Sequence, residues 1–350
     1  LNRLDMHRAF LLILLGLLLL TGAPDARAQD MQKLAQTGFK FLSVSSDPRA
    51  AAMGDAVTAL EGFNSSLFYN PAGMARQSAF MGVYAGQTQW IAGIDHNHAS
   101  VTFSPLNGRY GVFGFTMQSV SYGEIQETVR WDNDQGFRDL GTISPTALAV
   151  GIGYARAITD RFSVGGHVKY ASQDLGESAM SAGDIDGDFA RQGNREDVLA
   201  FDFGVLYQTG FRSLNLAMAI RNFSQEIQYE DESFQLPLVF HIGLAMDMID
   251  LTNADPRMHS AILSIDAERP RDYSEMLNFG LEYGFMRTIM LRGGYAFLVE
   301  PGVRENDEQG FSLGAGVRQS VGGVGFGADY AYTDFGIFSE VHRIALHLSF

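Results

Sequence analysis

From residue 78 to Phe350 the sequence switches, one residue at a time, between a bulky apolar side chain and a small or polar one. Leu148, Val150, Ile152 and Tyr154 are separated by Ala149, Gly151 and Gly153; Leu199, Phe201, Phe203, Val205 and Tyr207 by Ala200, Asp202, Gly204 and Leu206. Leu277, Phe279, Leu281, Tyr283 and Phe285 enclose Asn278, Gly280, Glu282 and Gly284 in the same way. A period of two is that of a β-strand, whose successive side chains leave opposite faces. A soluble β-sandwich buries its apolar face and charges the other richly. Here the second face is glycine, alanine and serine with one or two charges per strand, which suits a membrane barrel: the bulky face meets lipid and the bare face borders a crowded lumen.

About fourteen such segments can be marked, from 78–88 to 340–350, and each is near the roughly ten residues a tilted strand needs to cross a bilayer. The gaps at 105–108, 158–160, 209–212, 286–287 and 320 are short, and 250–257 is the longest of that set. Those at 121–143, 174–196, 224–235, 299–308 and 334–339 are mostly long. Short and long gaps alternate, as expected of an all-β, antiparallel transmembrane barrel with periplasmic turns, outer loops and both termini in the periplasm. The last strand sets Ile344, Leu346, Leu348 and Phe350 on one face. A terminal Phe350 resembles the signal that the barrel assembly machinery recognises, making that machinery an expected partner beside outer-membrane lipid.

The amino end reads differently. Arg3 and Arg8 precede the apolar run Phe10 to Leu20, and Ala26 and Ala28 fit a cleavage site, so residues 1–28 are expected to be a signal peptide cut near Ala28. Residues 29–77 are too few for an independent domain and are expected to fold as a plug of short helices and turns inside the barrel, residues 78–350. The alanine-rich runs permit short helices, Gly54 and Gly62 break them, and Asn70-Pro71 imposes a turn. Arg49 is expected to pair with a lumenal carboxylate.

The chain has no cysteine, so disulfides cannot stabilise it, and its formal charge of −15 argues against nucleic acid as a partner. No nucleophile elbow or zinc-helix motif is present, and neither enzyme chemistry, a cofactor nor a metal is expected. Asp184, Asp186 and Asp188 have the spacing of a calcium loop, but Phe189 and Arg195 stand where glycine and glutamate are needed, which favours a solvated outer loop. His96 and His98 face one side without a third ligand and are expected at an interface. The expected lumenal charges are Lys169, Asp202, Arg221, Asp247, Asp266, Glu282, Arg292, Arg318, Asp329 and Arg343. Ion pairing across strands and a polar path for solute are the two readings of that set.

The stretch from Phe41 to Gly73 resembles the amino-terminal signature of the PorV/PorQ family, a branch of the FadL-like fourteen-stranded outer-membrane barrels. Phe41 and Leu42 match its start, Arg49, Ala50, Met53, Gly54, Asp55 and Ala56 its central turn, and Tyr69, Asn70, Pro71, Ala72 and Gly73 its closing motif, with tyrosine where tryptophan is more usual. The resemblance implies a part in type IX protein secretion as a cargo-binding or attachment-complex component, with secretion components or secreted cargo as partners. Tyr122, Trp131 and Phe137 in the outer loop 121–143 are then the candidate partner anchors, since exposed aromatics mark interfaces. The wider FadL-like group implies an alternative, passive transport of hydrophobic small molecules.

Overall fold

The computed structural model describes residues 37–180, 190–229, 232–299, 310–338 and 340–350. The expected signal peptide and Asp184–Asp188 lie outside them. The strands are β1 (Met81–Gln89), β2 (Asp95–Phe103), β3 (Val112–Ser121), β4 (Ile125–Arg130), β5 (Phe137–Ile143), β6 (Thr146–Ala157), β7 (Phe162–Met180), β8 (Ala190–Gln208) and β9 (Asn215–Phe223). They continue as β10 (Ile227–Tyr229), β11 (Glu232–Phe234), β12 (Val239–Asp247), β13 (His259–Pro270), β14 (Met276–Phe285), β15 (Ile289–Leu298), β16 (Phe311–Val321), β17 (Val324–Asp334) and β18 (Glu340–Ser349). Fourteen of these, all except β4, β5, β10 and β11, join in chain order into a closed antiparallel barrel.

Closure runs from Gly82 opposite Ser349 to Gln89 opposite His342. Beyond it, Phe350 and Met81 exchange backbone hydrogen bonds of 2.8 and 3.3 Å, so the last residue completes the ladder that the first strand begins. A ring without edges leaves no ladder group facing hydrocarbon unpaired. The faces follow the alternation. On β6, Leu148, Ile152 and Tyr154 are exposed while Ala147, Ala149, Gly151 and Ala155 are buried inside.

Three outer gaps hold structure that alternation does not announce, and in 224–235 it is the short hairpin of β10 and β11. Within 121–143, β4 and β5 form a separate hairpin. Beyond the barrel, β7 and β8 stay paired as far as Met180 opposite Ala190. The β4–β5 hairpin rests on the β7–β8 hairpin partly through polar contacts, Glu127 accepting from the Ala179 N–H and from Arg191 at 3.2 Å each, so nothing forces an apolar residue onto every second position.

Residues 37–80 run through the lumen. Their helical content is a single turn, Pro48–Ala52, and the 3-10 turns Lys40–Ser43, Ser66–Phe68 and Pro71–Met74. The helix permitted at Ala56–Leu60 does not form. Gly54 and Asp55 take positive φ, 61° each, which stops the preceding turn, and the Thr58 N–H is drawn to the Asp266 carboxylate at 2.9 Å.

The direction of this segment differs from the sequence expectation. Short connections mark the periplasmic end of a barrel. The barrel begins and ends there, but Thr37 lies at the opposite end, bridged to Gln235 in the connection 224–238. Thr37 and Lys40 both donate to Asp272 in the connection 271–275. The chain therefore descends the lumen from its outer mouth to β1. With no native cysteine, Lys40→Cys gives a single thiol on a side chain that is 58% exposed. It is expected to react with a membrane-impermeant maleimide in intact cells, whereas Arg212→Cys, in the connection 209–214, should react after permeabilisation. Equal protection of the two would reverse the assignment.

Candidate functional site

The lumenal segment is built on one device used twice. Asp47-Pro48 and Asn70-Pro71 each place a side-chain oxygen before a proline, whose fixed φ and missing N–H suit the first helical position. The Asp47 carboxylate accepts from the Arg49 N–H at 2.6 Å, and Asn70 Oδ1 from the Ala72 N–H at 3.0 Å. The rest of Asn70 ties the turn outward: its Nδ2 donates to Thr58 O at 2.8 Å and to Val205 O of β8 at 3.3 Å. Tyr69 closes the motif. Its hydroxyl accepts the N–H groups of Ser46 and Asp47 at 3.1 and 2.9 Å, joining the two halves of the segment.

The bare inner face of the barrel is the footprint of this segment. A Cβ on Gly165 of β7 would lie 2.5 Å from Ala72 N and Pro71 C, and one on Gly280 of β14 would lie 2.6 Å from Met53 O. Backbone packs on backbone at these points, so no side chain fits between. Leu67 sits likewise over Gly114 and Gly153.

A backbone without a sheet or long helix must find partners for its polar groups, and the lumenal charges supply them. Asp266 accepts from Thr58, Arg221 Nη2 donates to Leu42 O at 3.3 Å, and Arg343 Nε donates to Ser45 O at 3.3 Å. Arg49 makes a forked contact with Glu282, 2.8 Å from Nε and 2.7 Å from Nη2. From Glu282 a chain of opposite charges crosses the periplasmic half of the wall. Arg292 bridges Glu282 and Asp329 at 2.6 Å each, and Arg318 Nη2 donates to Asp329 at 2.9 Å. His347 Nε2 lies 2.7 Å from the same carboxylate, off the hydrogen-bond direction.

A second cluster sits at a break in the ladder. Between Phe201 and Phe203 the register of β8 on β9 shifts, and Asn222 takes a φ of 60°. Asp202 accepts the displaced Asn222 N–H at 2.7 Å, and Lys169 and His167 lie 2.9 and 3.0 Å from its carboxylate. Six of the ten expected lumenal charges thus stand in ion pairs, and Arg221, Asp266 and Arg343 hold the lumenal segment. Asp247 caps a turn, accepting from the Ile249 and Ala261 N–H groups at 3.0 and 2.9 Å.

The outer mouth is closed by apolar packing. Phe39, Phe41 and Leu42 bury themselves among Val120, Val198, Ile227 and Leu236, and the Phe39 ring stacks on Phe234 at 6.3 Å. Half-buried Tyr122 packs on this cluster and accepts from Gln173 at 3.3 Å. Trp131 carries the Arg138 guanidinium over its ring at 5.4 Å, and Phe137 is 43% exposed. Burial raises the Asp272 carboxyl, but donation from Lys40 and Thr37 outweighs it and holds the group below its ordinary range. The contact is therefore made in full at neutral pH and is lost as pH falls through that depressed value. Below the cluster, cavities of about 40 Å³ beside Tyr69 and Arg221 and about 10 Å³ beside Leu67 and His167 separate segment from wall.

His96 and His98 are not at an interface. Both are buried in the lumen with rings stacked at 6.0 Å, because even-numbered positions of β2 point inward. Asp47, Asp272 and Tyr84, whose buried hydroxyl donates to Ser46 O, escaped the sequence reading although the segment depends on them; the recurring Asx-Pro pair was the signal for Asp47.

A sequence profile of the family described as type IX secretion system protein PorV matches residues 27–261. No curated protein sequence matches. Among solved structures, the chain is similar to the Ralstonia pickettii toluene transporter TbuX at 12% identity and a TM-score of 0.55, covering 88% of this chain and 97% of that one. It is similar to the Pseudomonas putida toluene transporter TodX at 12% identity, TM-score 0.54 and coverage of 87% and 98%. A Pseudomonas aeruginosa FadL homologue matches at 13% identity, TM-score 0.51 and coverage of 88% and 98%. At such identities the likeness is one of fold.

Proposed function

This chain belongs to the PorV family of type IX secretion system proteins, and from that premise we propose that it is a partner-binding barrel of the secretion apparatus, engaging cargo or attachment-complex proteins at its outer face. The observation that carries the reading is the division of the molecule. The lumen is occupied by a segment tied to the wall through Arg49, Asn70, Arg221, Asp266 and Arg343, while the outer end spends residues on the hairpins β4–β5 and β7–β8. Residues 37–77 act as the plug. A solute pathway gains nothing from hairpins raised above the membrane, whereas a docking surface does. Phe137 is the exposed anchor on β5, while Trp131 is covered by the Arg138 guanidinium and Tyr122 packs on the apolar cluster of the mouth.

One observation favours the second reading, passive transport of hydrophobic molecules. The apolar cluster at the outer mouth would accept such a ligand once Phe39, Phe41 and Leu42 withdrew. Affinity purification from native membranes, with mass spectrometry of proteins and lipids, separates the two. Recovery of secretion components that falls with Phe137→Asp, while the barrel stays folded, is the expected result. An apolar ligand retained in the lumen without any secretion component would transfer the assignment to transport.

A further inference from the structure

At the periplasmic end, between the lumenal segment and the turns of β14–β15 and β16–β17, lies a vestibule of about 520 Å³. In a chain with 40 acidic and 25 basic residues, none of its nineteen lining residues is acidic, and Arg49, Arg287, Arg318 and His347 are among them. The carboxylates behind the wall do not cancel these charges. Glu282 and Asp329 are shared among Arg49, Arg292 and Arg318, so four arginines counting Arg287 face two carboxylates. Arg318 spends one nitrogen on Asp329 and remains 32% exposed, and Arg287 is exposed with no acidic partner among the described residues.

The rim has the opposite chemistry. Phe326 and Leu348 pair across β17 and β18 on the lipid-facing side, and Met286 stands exposed at the turn of β14–β15. Cationic forks within reach of an apolar, lipid-facing rim match a molecule that is anionic at one end and hydrocarbon at the other. The void is several times larger than a phosphate group and leaves room for a glycerol headgroup.

We propose that this vestibule binds an anionic phospholipid of the inner leaflet, its phosphate held by Arg287 and Arg318 and its acyl chains lying along Phe326, Leu348 and Met286. Because Arg318 also ends the charge chain that reaches Arg49, the lipid sits one ion pair away from the network that anchors the plug.

The test is native mass spectrometry of the full chain released from nonionic detergent micelles doped with phosphatidylglycerol, with phosphatidylcholine, or with inorganic phosphate alone. Wild type is expected to retain one phosphatidylglycerol. Losing a charge-assisted hydrogen bond should lower that retention about tenfold in Arg287→Gln. Arg287 has no ion pair to break among the described residues, so this variant is expected to keep the barrel folded; Arg287→Gln with Arg318→Gln should lower retention further. Arg257→Gln, exposed in the connection 248–258 at the same end, should change nothing. Equal retention of the two lipids, or full retention by Arg287→Gln, overturns the proposal. Phosphate binding without lipid retention overturns the lipid assignment and leaves a soluble-anion site.

Discussion

Glu282→Ala is expected to produce the largest loss of stability among single substitutions in the lumen. The side chain accepts two hydrogen bonds from Arg49, which is 13% exposed, and one from Arg292, which is fully buried. Removing one partner of a buried pair strands the other charge, at about 3–5 kcal/mol. Here two cations lose a partner, although Arg292 keeps Asp329. The loss should appear in urea unfolding of the detergent-solubilised barrel and as faster backbone hydrogen exchange over residues 47–55. Arg49→Met combined with Glu282→Leu keeps the volume and removes one charge of each sign. It should recover at least half of the stability lost in Glu282→Ala. If the double variant were as unstable as the single one, the carboxylate would act through packing and its role as an anchor would fall.

That network marks the limit of what the sequence discloses. Ile152 beside Gly153, or Leu281 beside Glu282, fixes which face a residue occupies, because a strand offers two faces and only one side chain of each pair suits lipid. The fourteen barrel strands were legible on that ground. Pairing was not: Glu282 and Asp329 lie on different strands, and their partners depend on register, which a turn of one residue more or less would alter. The β4–β5 hairpin was illegible because its inner face meets the β7–β8 hairpin through a charged residue, Glu127, as well as through Ile143, and so carries no apolar alternation. The path of residues 37–80 was illegible too. Asn70-Pro71 announces a turn, but no local rule says that Lys40 meets Asp272, more than two hundred residues away, at the outer mouth.

A pair of adjacent glycines tests the footprint most sharply. Gly165→Val is expected to keep the turn Pro71–Met74 from seating, since the new Cβ would lie 2.5 Å from Ala72 N and Pro71 C, atoms of a backbone that cannot rotate aside. Overpacking of this kind costs about 1–3 kcal/mol and more when backbone must move. Gly166→Val points to the lipid side, where the nearest atoms stand at 3.8 and 4.0 Å, and should change stability by less than about 0.5 kcal/mol. Unfolding midpoints of the two variants, with hydrogen exchange over residues 66–77, read the difference. Equal tolerance would mean that the segment does not rest on β7, and equal failure would mean that β7 needs glycine for its own backbone. A difference confined to Gly165 would trace the bare face of the alternation to the chain that lies on it. The property that first marks this sequence as a barrel would then be a property of its contents.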